Sequence, residues 1–296
     1  MDNSLRRGTL EMVAAMLISG TIGWLVMLSG QPVLDVVFWR CVFGALTLLV
    51  VCAAMGFLRP GLLTRTTLLL AVLSGVAIVG NWLLLFGSYS RASIAIGTAV
   101  YNVQPFMLVG LGALFLGEKI TAQKLFWLTV SFAGMLAIVS AHGGQGGGDY
   151  LMGIVMALGA AALYAIAALI IKRLKGVPPH LIALVQVSTG AVLLAPLADL
   201  SAFPHALHGW GALLTLGMVH TGLMYVLLYG AIQKLPTALT GALSFIYPIV
   251  AIFVDWFAFG HRLDALQWVG VAAILLAAAG MQQGWGLRRA RQANAH

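Results

Sequence analysis

A chain of 296 residues that is 61% hydrophobic and 8% charged has too little charge to cover a water-soluble surface, which usually needs roughly 25%. It reads as an integral membrane protein. Its net charge of +8 sits in basic residues placed singly or in threes between apolar runs, a pattern of membrane-orientation charges that argues against nucleic acid as a partner.

The first apolar run, Leu10 to Leu28, follows Arg6 and Arg7 as a signal peptide's would. It is too long for a usual signal core and no A-x-A site follows, so it is read as a retained span at 9–29. Further spans are expected at 33–56, 66–88, 93–116, 122–141, 150–171, 179–198, 209–230, 236–260 and 265–286. Each is near the roughly 20 apolar residues a crossing requires. The breaks carry turn or charge signals such as GQP, GEKITAQK, KRLKGVPP and GHRLD. Cys41 and Cys52 share the second span, about 16 Å apart along a helix. They cannot pair, and no metal-ligand spacing is present.

Orientation follows from Lys and Arg placement. With a cytoplasmic N-terminus, only Arg91 and Arg262 of the 16 basic residues fall in outer loops, and Arg40 lies inside a span. Both termini are therefore expected in the cytoplasm. The bias holds to the end of the chain, which supports ten spans.

The chain also repeats itself. GSYSRASIAIGTAVYNVQPF, from Gly87, aligns without gaps on GAIQKLPTALTGALSFIYPI, from Gly230. Gly87, Ala95, Ala99 and Pro105 meet Gly230, Ala238, Ala242 and Pro248, and further on Gly117 and Ala122 meet Gly260 and Ala265. Each half then holds five spans, and an odd number inverts the second copy, an architecture associated with secondary transporters. The expected organisation is a first five-helix repeat at 1–142, a Gly-rich external linker at 143–149, and a second repeat with a short basic cytoplasmic tail at 150–296. The expected fold class is all-α and integral to the membrane, with ten transmembrane helices in two inverted five-helix repeats.

Polar residues inside apolar spans are the candidates for function. Pro105 and Pro248 fall near the middles of the fourth and ninth spans. Each removes a backbone bond, to the carbonyl of Tyr101 or Ser244. Such a site is either a packing kink or a bend facing a cavity, since a freed carbonyl needs protein or water. Thr98, Tyr101, Gln104 and Pro105 share one helical face, as do Ser244, Tyr247 and Pro248. Gln104 either bonds a neighbouring helix or lines a cavity. Trp24, Trp82, Tyr101, Tyr164 and Tyr247 lie deep enough to stack on a flat or apolar ligand or to pack in the core. Trp127, Trp210, Trp268 and Trp285 suit interface anchors.

Ionisable groups inside spans are expensive and point to function. Arg40 could bind a carboxylate, pair with Asp35 or Glu11, or snorkel. His220 is the mid-span histidine, either a hydrogen-bonded structural residue or a route to proton coupling. No carboxylate falls at the expected midplane, which leans against tight ion coupling. Ala157, Ala161 and Ala165 give the sixth span a small-residue packing face. No phosphate-binding loop, GxSxG or HExxH motif occurs.

FWRCVFGAL, QPFMLVGLGALFLGEKIT and YPIVAIFVDWFAFGHRLD resemble the drug/metabolite transporter superfamily, and within it the ten-helix EamA-type exporters. Pro105 and Glu118 match that pattern in the first half. Pro248 matches in the second, where His261 replaces the glutamate. SGTIGWLVMLSGQPVLDVVFWR is most similar to bacterial exporters of aromatic amino acids. The resemblance implies a cavity between the repeats that receives amino acids or related metabolites.

The sequence is thus read as a multi-pass exporter of small metabolites in a bacterial inner membrane, acting by alternating access. Trp24, Arg40, Asn81, Trp82, Tyr101, Gln104, Tyr164, His220, Ser244 and Tyr247 are expected to contact substrate, with Pro105 and Pro248 as hinges. Its partners are the substrate and the lipid bilayer. No cofactor, catalytic residue, metal or obligate protein partner is expected. The competing reading is an integral membrane enzyme acting on lipid-linked substrates, with His205, His208 and Asp199 as its best cluster.

Overall fold

The computed structural model describes residues 3–59, 61–92, 97, 100–140, 150–199, 207–259, 265–283 and 285. Thr98, His205, His261, the stretch 143–149 and the tail from 286 lie outside the described residues, as do the side chains of Pro248 and Asp255.

Among the described residues the regular structure is helical throughout. The first expected span is two helices, α1 (Asn3–Ser19) and α2 (Ile22–Ser29), parted by a turn at Gly20 and Thr21. Then come α3 (Val33–Ala54), α4 (Arg65–Ala92), α5 (Gln104–Leu116), α6 (Ala122–Ser140), α7 (Tyr150–Arg173) and α8 (Pro179–Leu194). The eighth span joins α9 (Leu207–Gly217), a π-helical segment (Met218–Leu223) and α10 (Met224–Lys234). The ninth divides into α11 (Thr237–Ser244) and α12 (Ile246–Phe259), and α13 (Ala265–Gln283) ends the bundle.

Local chemistry sets many boundaries. Pro32, Pro178 and Pro236 stand immediately before α3, α8 and α11 with φ of −56°, −55° and −60°, the value the proline ring fixes. Gly117 ends α5 in the left-handed region at φ +66° and returns its N–H to the Gly112 carbonyl, a conformation that costs glycine little.

The expected proline kinks take another form. Helix stops at Tyr101, turns through Asn102 and Val103, and restarts at Gln104. In the ninth span it stops at Ser244 and restarts at Ile246. Pro105 and Pro248 thus fall in the first turn of α5 and α12, where a missing N–H leaves no intrahelical bond unmade.

The halves interlock pairwise. α1 packs on α10, α3 on α8, α4 on α7, α5 on α11 and α6 on α13. Small residues allow the close α4–α7 approach: Ala157, Ala160, Ala161 and Ala165 are fully buried. Gly44 and Gly217 do the same for α3 and the eighth span. A Cβ on Gly217 would lie 2.3 Å from the Phe43 Cβ, and one on Gly44 2.7 Å from the Thr221 methyl.

Leu114, Leu151, Val192, Leu207 and Phe257 are exposed, an apolar exterior suited to lipid. Among the described residues, five helical stretches meet the length and hydropathy of a membrane span: Asn3–Val26, Val33–Ala54, Arg65–Ser88, Leu151–Arg173 and Leu207–Lys234. Gln104–Leu116, Pro179–Leu194 and Trp268–Met281 are apolar but shorter.

Candidate functional site

α3, α4, α7, α8 and α10 meet around a buried group of aromatic and polar side chains. α4 contributes Asn81 and Trp82. The Trp82 Nε1–H donates to the Tyr225 hydroxyl at 2.8 Å, and the two rings meet edge to face. Asn81 donates to the Ala160 carbonyl at 2.7 Å and to the Tyr101 hydroxyl at 3.4 Å. Tyr101 in turn meets Tyr164 edge on, with ring centroids 6.3 Å apart. These aromatics belong to one packed core with Tyr229. Tyr229 donates to Gln186 Oε1, Gln186 donates to Ser74 at 2.7 Å, and Ser74 donates to the Ala71 carbonyl.

Arg40 closes one wall of this group and is fully buried. Its guanidinium carbon stands 4.2 Å from the centre of the Trp82 ring, a cation–π geometry. Its Nε donates to the Thr221 hydroxyl at 3.1 Å, and its Nη2 has no hydrogen-bond partner. Neither carboxylate weighed from sequence neutralises it. Asp35 accepts the Asp199 backbone N–H at 3.0 Å, and Glu11 pairs with Arg7 and Lys234.

The π segment places Thr221 against Arg40 and His220 against the break in the first span. His220 Nε2 lies 2.6 Å from the Thr21 hydroxyl, and Nδ1 lies 3.2 Å from the Thr215 carbonyl. Thr21 can spend its one proton on the Ile18 carbonyl at 2.8 Å. A neutral ring satisfies two of these three contacts, the tautomer deciding which.

The two broken spans meet nearby. Asn102 donates to the Tyr247 hydroxyl at 3.2 Å. Gln104 is buried with its Oε1 unpartnered. The ring of Pro105 packs against Gly241, where an added Cβ would lie 2.9 Å from the Pro105 Cβ. Two expected site residues stand apart from these clusters. Ser244 turns its hydroxyl back to the Gly241 carbonyl at 2.7 Å. Trp24 is 42% exposed.

One end of the bundle is fastened by charge. Lys172 lies 3.0 Å from Glu118 and donates to the Leu235 carbonyl at 2.6 Å. Glu118 also accepts both the backbone N–H and the hydroxyl of Thr237. Burial pushes the Glu118 carboxyl up, but the Thr237 bonds and the Lys172 ammonium outweigh it and hold it below the usual range. This fastening joins α5's exit to α7 and α11, so it crosses between the halves.

Sequence reasoning missed several of these residues. Gln186 is a mid-span amide of the kind that singled out Gln104. Gly217 and Gly222 bracket Thr221 as a sign of close backbone approach. Thr21 and Ser74 gave no signal, because single hydroxyls are common in apolar helices. Among the described residues no group of three metal-ligating side chains occurs.

Comparison with known proteins bears on the same chain. It matches the EamA-like transporter family twice, over residues 6–140 and 151–282. It is 30% identical over 268 residues to "Uncharacterized transporter YxxF" of Bacillus subtilis (strain 168), spanning 90% of this chain and 86% of that one. An "Uncharacterized transporter" of Archaeoglobus fulgidus is 25% identical over 273 residues, spanning 92% and 94%. A crystal structure superposes with a TM-score of 0.80 over 92% of this chain and 96% of that chain, at 21% identity.

Proposed function

Starting from a chain that belongs to the EamA-like transporter family of membrane transporters, we propose that it exports small amphipathic metabolites, aromatic amino acids foremost. In this reading it works by alternating access in a bacterial inner membrane, with both termini cytoplasmic. Two inverted five-helix repeats, 1–142 and 150–296, rock about a central site. Trp82, Tyr101, Tyr164 and Tyr225 wall that site, Asn81 and Gln104 orient the ligand's polar end, and the breaks before Pro105 and Pro248 act as hinges.

The observation that carries this reading is the bond between Trp82 and Tyr225. They stand 143 residues apart, the offset of the repeat, so equivalent positions of the two halves touch. The helix pairings agree. Exchanging each span for the one five places on turns the α1–α10 pairing into the α4–α7 pairing and returns the other three to themselves. The two helix breaks fall at Asn102 and Phe245, which are also equivalent under this offset.

The Glu118–Lys172–Thr237 fastening lies on the side that the Lys and Arg bias makes cytoplasmic. We read it as the closed inner end of an outward-facing arrangement.

Purified protein in liposomes loaded with an aromatic amino acid tests the proposal. Efflux above that of empty vesicles is expected. No movement of any aromatic amino acid in either direction sinks the substrate reading. Labelling of single cysteines near Gln104 tests the cavity separately, and no water exposure in any state would sink it.

A further inference from the structure

We infer that Arg40 is the residue that takes the ligand's carboxylate, and that a monoanionic acid with an aromatic body binds at least as well as the matching zwitterionic amino acid. This rests on the transporter reading above and narrows its substrate class.

The argument begins with charge. Among the described residues, the buried or half-buried acids already have partners. Glu11 is held by Arg7 and Lys234, Glu118 by Lys172, and Asp35 by the Asp199 backbone. No acid among the described residues lies within ion-pair distance of Arg40. Its fully buried guanidinium is held by one hydroxyl and one indole face, and its Nη2 bonds nothing. A guanidinium cannot shed its proton to relieve burial. The site therefore carries surplus positive charge where desolvation is most costly. Inside a membrane bundle such a charge marks the route of the ligand.

A carboxylate is the group that cancels it. Its two oxygens match the guanidinium fork, and such bonds are among the strongest available to a side chain. Thr221 and Trp82 fix the fork from one edge and one face, which leaves Nη2 to offer. The surrounding walls suit an apolar or aromatic body.

An α-ammonium finds no matching acid here. Gln186 has spent its oxygen on Tyr229 and its nitrogen on Ser74. Placing an ammonium beside Arg40 restores the charge that the carboxylate removed. The deaminated acid forgoes at most a neutral acceptor such as the unpartnered Gln104 Oε1 and brings no second cation.

The test uses the full chain and three ligands with one ring in common: 3-phenylpropionate, phenylalanine and phenylalaninamide. Binding is read by ligand-induced Tm shift, and movement by proteoliposome uptake. Wild type should bind 3-phenylpropionate at least as tightly as phenylalanine, and the amide far more weakly. Arg40→Gln removes an uncompensated buried charge, so its ligand-free Tm should equal or exceed that of wild type. Its affinity for the two acids should fall about 10- to 100-fold. Arg40→Lys should recover part of that loss.

Several results would overturn the inference. One is Arg40→Gln binding both acids as wild type does, and another is wild type binding the amide as tightly as the acids. A third is Arg40→Gln lowering the ligand-free Tm while leaving relative affinities intact, the signature of a purely structural arginine. Failure to bind either acid overturns it too. The two readings fail separately. If wild type binds both acids but moves neither, the transport reading falls and the Arg40 assignment stands. If it moves all three alike, the Arg40 assignment falls and transport stands.

Discussion

Lys172 and Arg40 are both buried cations contributed by long apolar helices, and the chain treats them in opposite ways. Lys172 has a carboxylate at 3.0 Å, a backbone carbonyl, and a carboxylate partner tied in turn to Thr237. Arg40 has a hydroxyl, an indole face and a nitrogen with nothing to bond. The first is a finished contact that joins the halves at one end of the bundle. The second is an unfinished one in the middle. A compensated buried charge holds structure together, whereas an uncompensated one stores the interaction for something that arrives.

The sharpest way to break this contrast is to unfinish the first contact. Lys172→Met leaves Glu118 half-buried without its cation. It should cost about 2–3 kcal/mol of stability, seen as a lower Tm, and should raise accessibility to labels at the basic end of the bundle. Glu118→Gln combined with Lys172→Met should cost less than the two singles summed, because the partners share one interaction.

Thr221→Val acts on the second contact. It strips the acceptor from Arg40 Nε, leaving a second buried donor unpaired, and should cost about 1–3 kcal/mol. If Arg40 serves the ligand, it should also weaken carboxylate binding, whereas Lys172→Met should not.

Tyr225→Phe is milder. It removes the acceptor for the Trp82 N–H and should cost about 1 kcal/mol, read by denaturation, with little change in ligand-free shape.

The smallest effect is that of acid. The Glu118 carboxyl titrates below its ordinary range, so its contribution to the Lys172–Thr237 contact at the basic end of the bundle is present above that range. It is lost as pH falls through the lowered value. Label accessibility at that end should be flat at neutral pH and rise only in strong acid. In the Glu118→Gln variant that rise should vanish.

The spans were legible because hydropathy over about 20 residues is a strong signal, and every expected span contains helix. Their interruptions were less legible. Pro105 pointed to the right place, but the break lies just before it, since a proline is tolerated best in a helix's first turn. The turn at Gly20 and Thr21 and the π segment at Met218–Leu223 escaped a hydropathy reading. Neither changes composition. Both change only which backbone atoms pair.

The same division holds at the site. Arg40, Asn81, Trp82, Tyr101 and Tyr164 stood out as costly residues in apolar runs, and they come together. Other partners did not stand out, because Thr221 and Ala160 come from distant segments that only folding brings close to Arg40 and Asn81.

The hydrogen-bonded line from Tyr229 through Gln186 and Ser74 to the Ala71 carbonyl has a mechanical consequence. Its donors all face one way, and it laces α10 and α8 of one half to α4 of the other. The Trp82–Tyr225 bond ties α4 to α10 about 12 Å further along α4, so the pins span its middle stretch. Helices pinned there cannot part like sliding doors. An opening that kept these bonds would have to tilt about that stretch, so the ends of the bundle would move further than the middle. In the proposed alternating-access cycle the pinned stretch is the axle, and the Glu118–Lys172 contact at one end of the bundle is where a modest force has its greatest leverage.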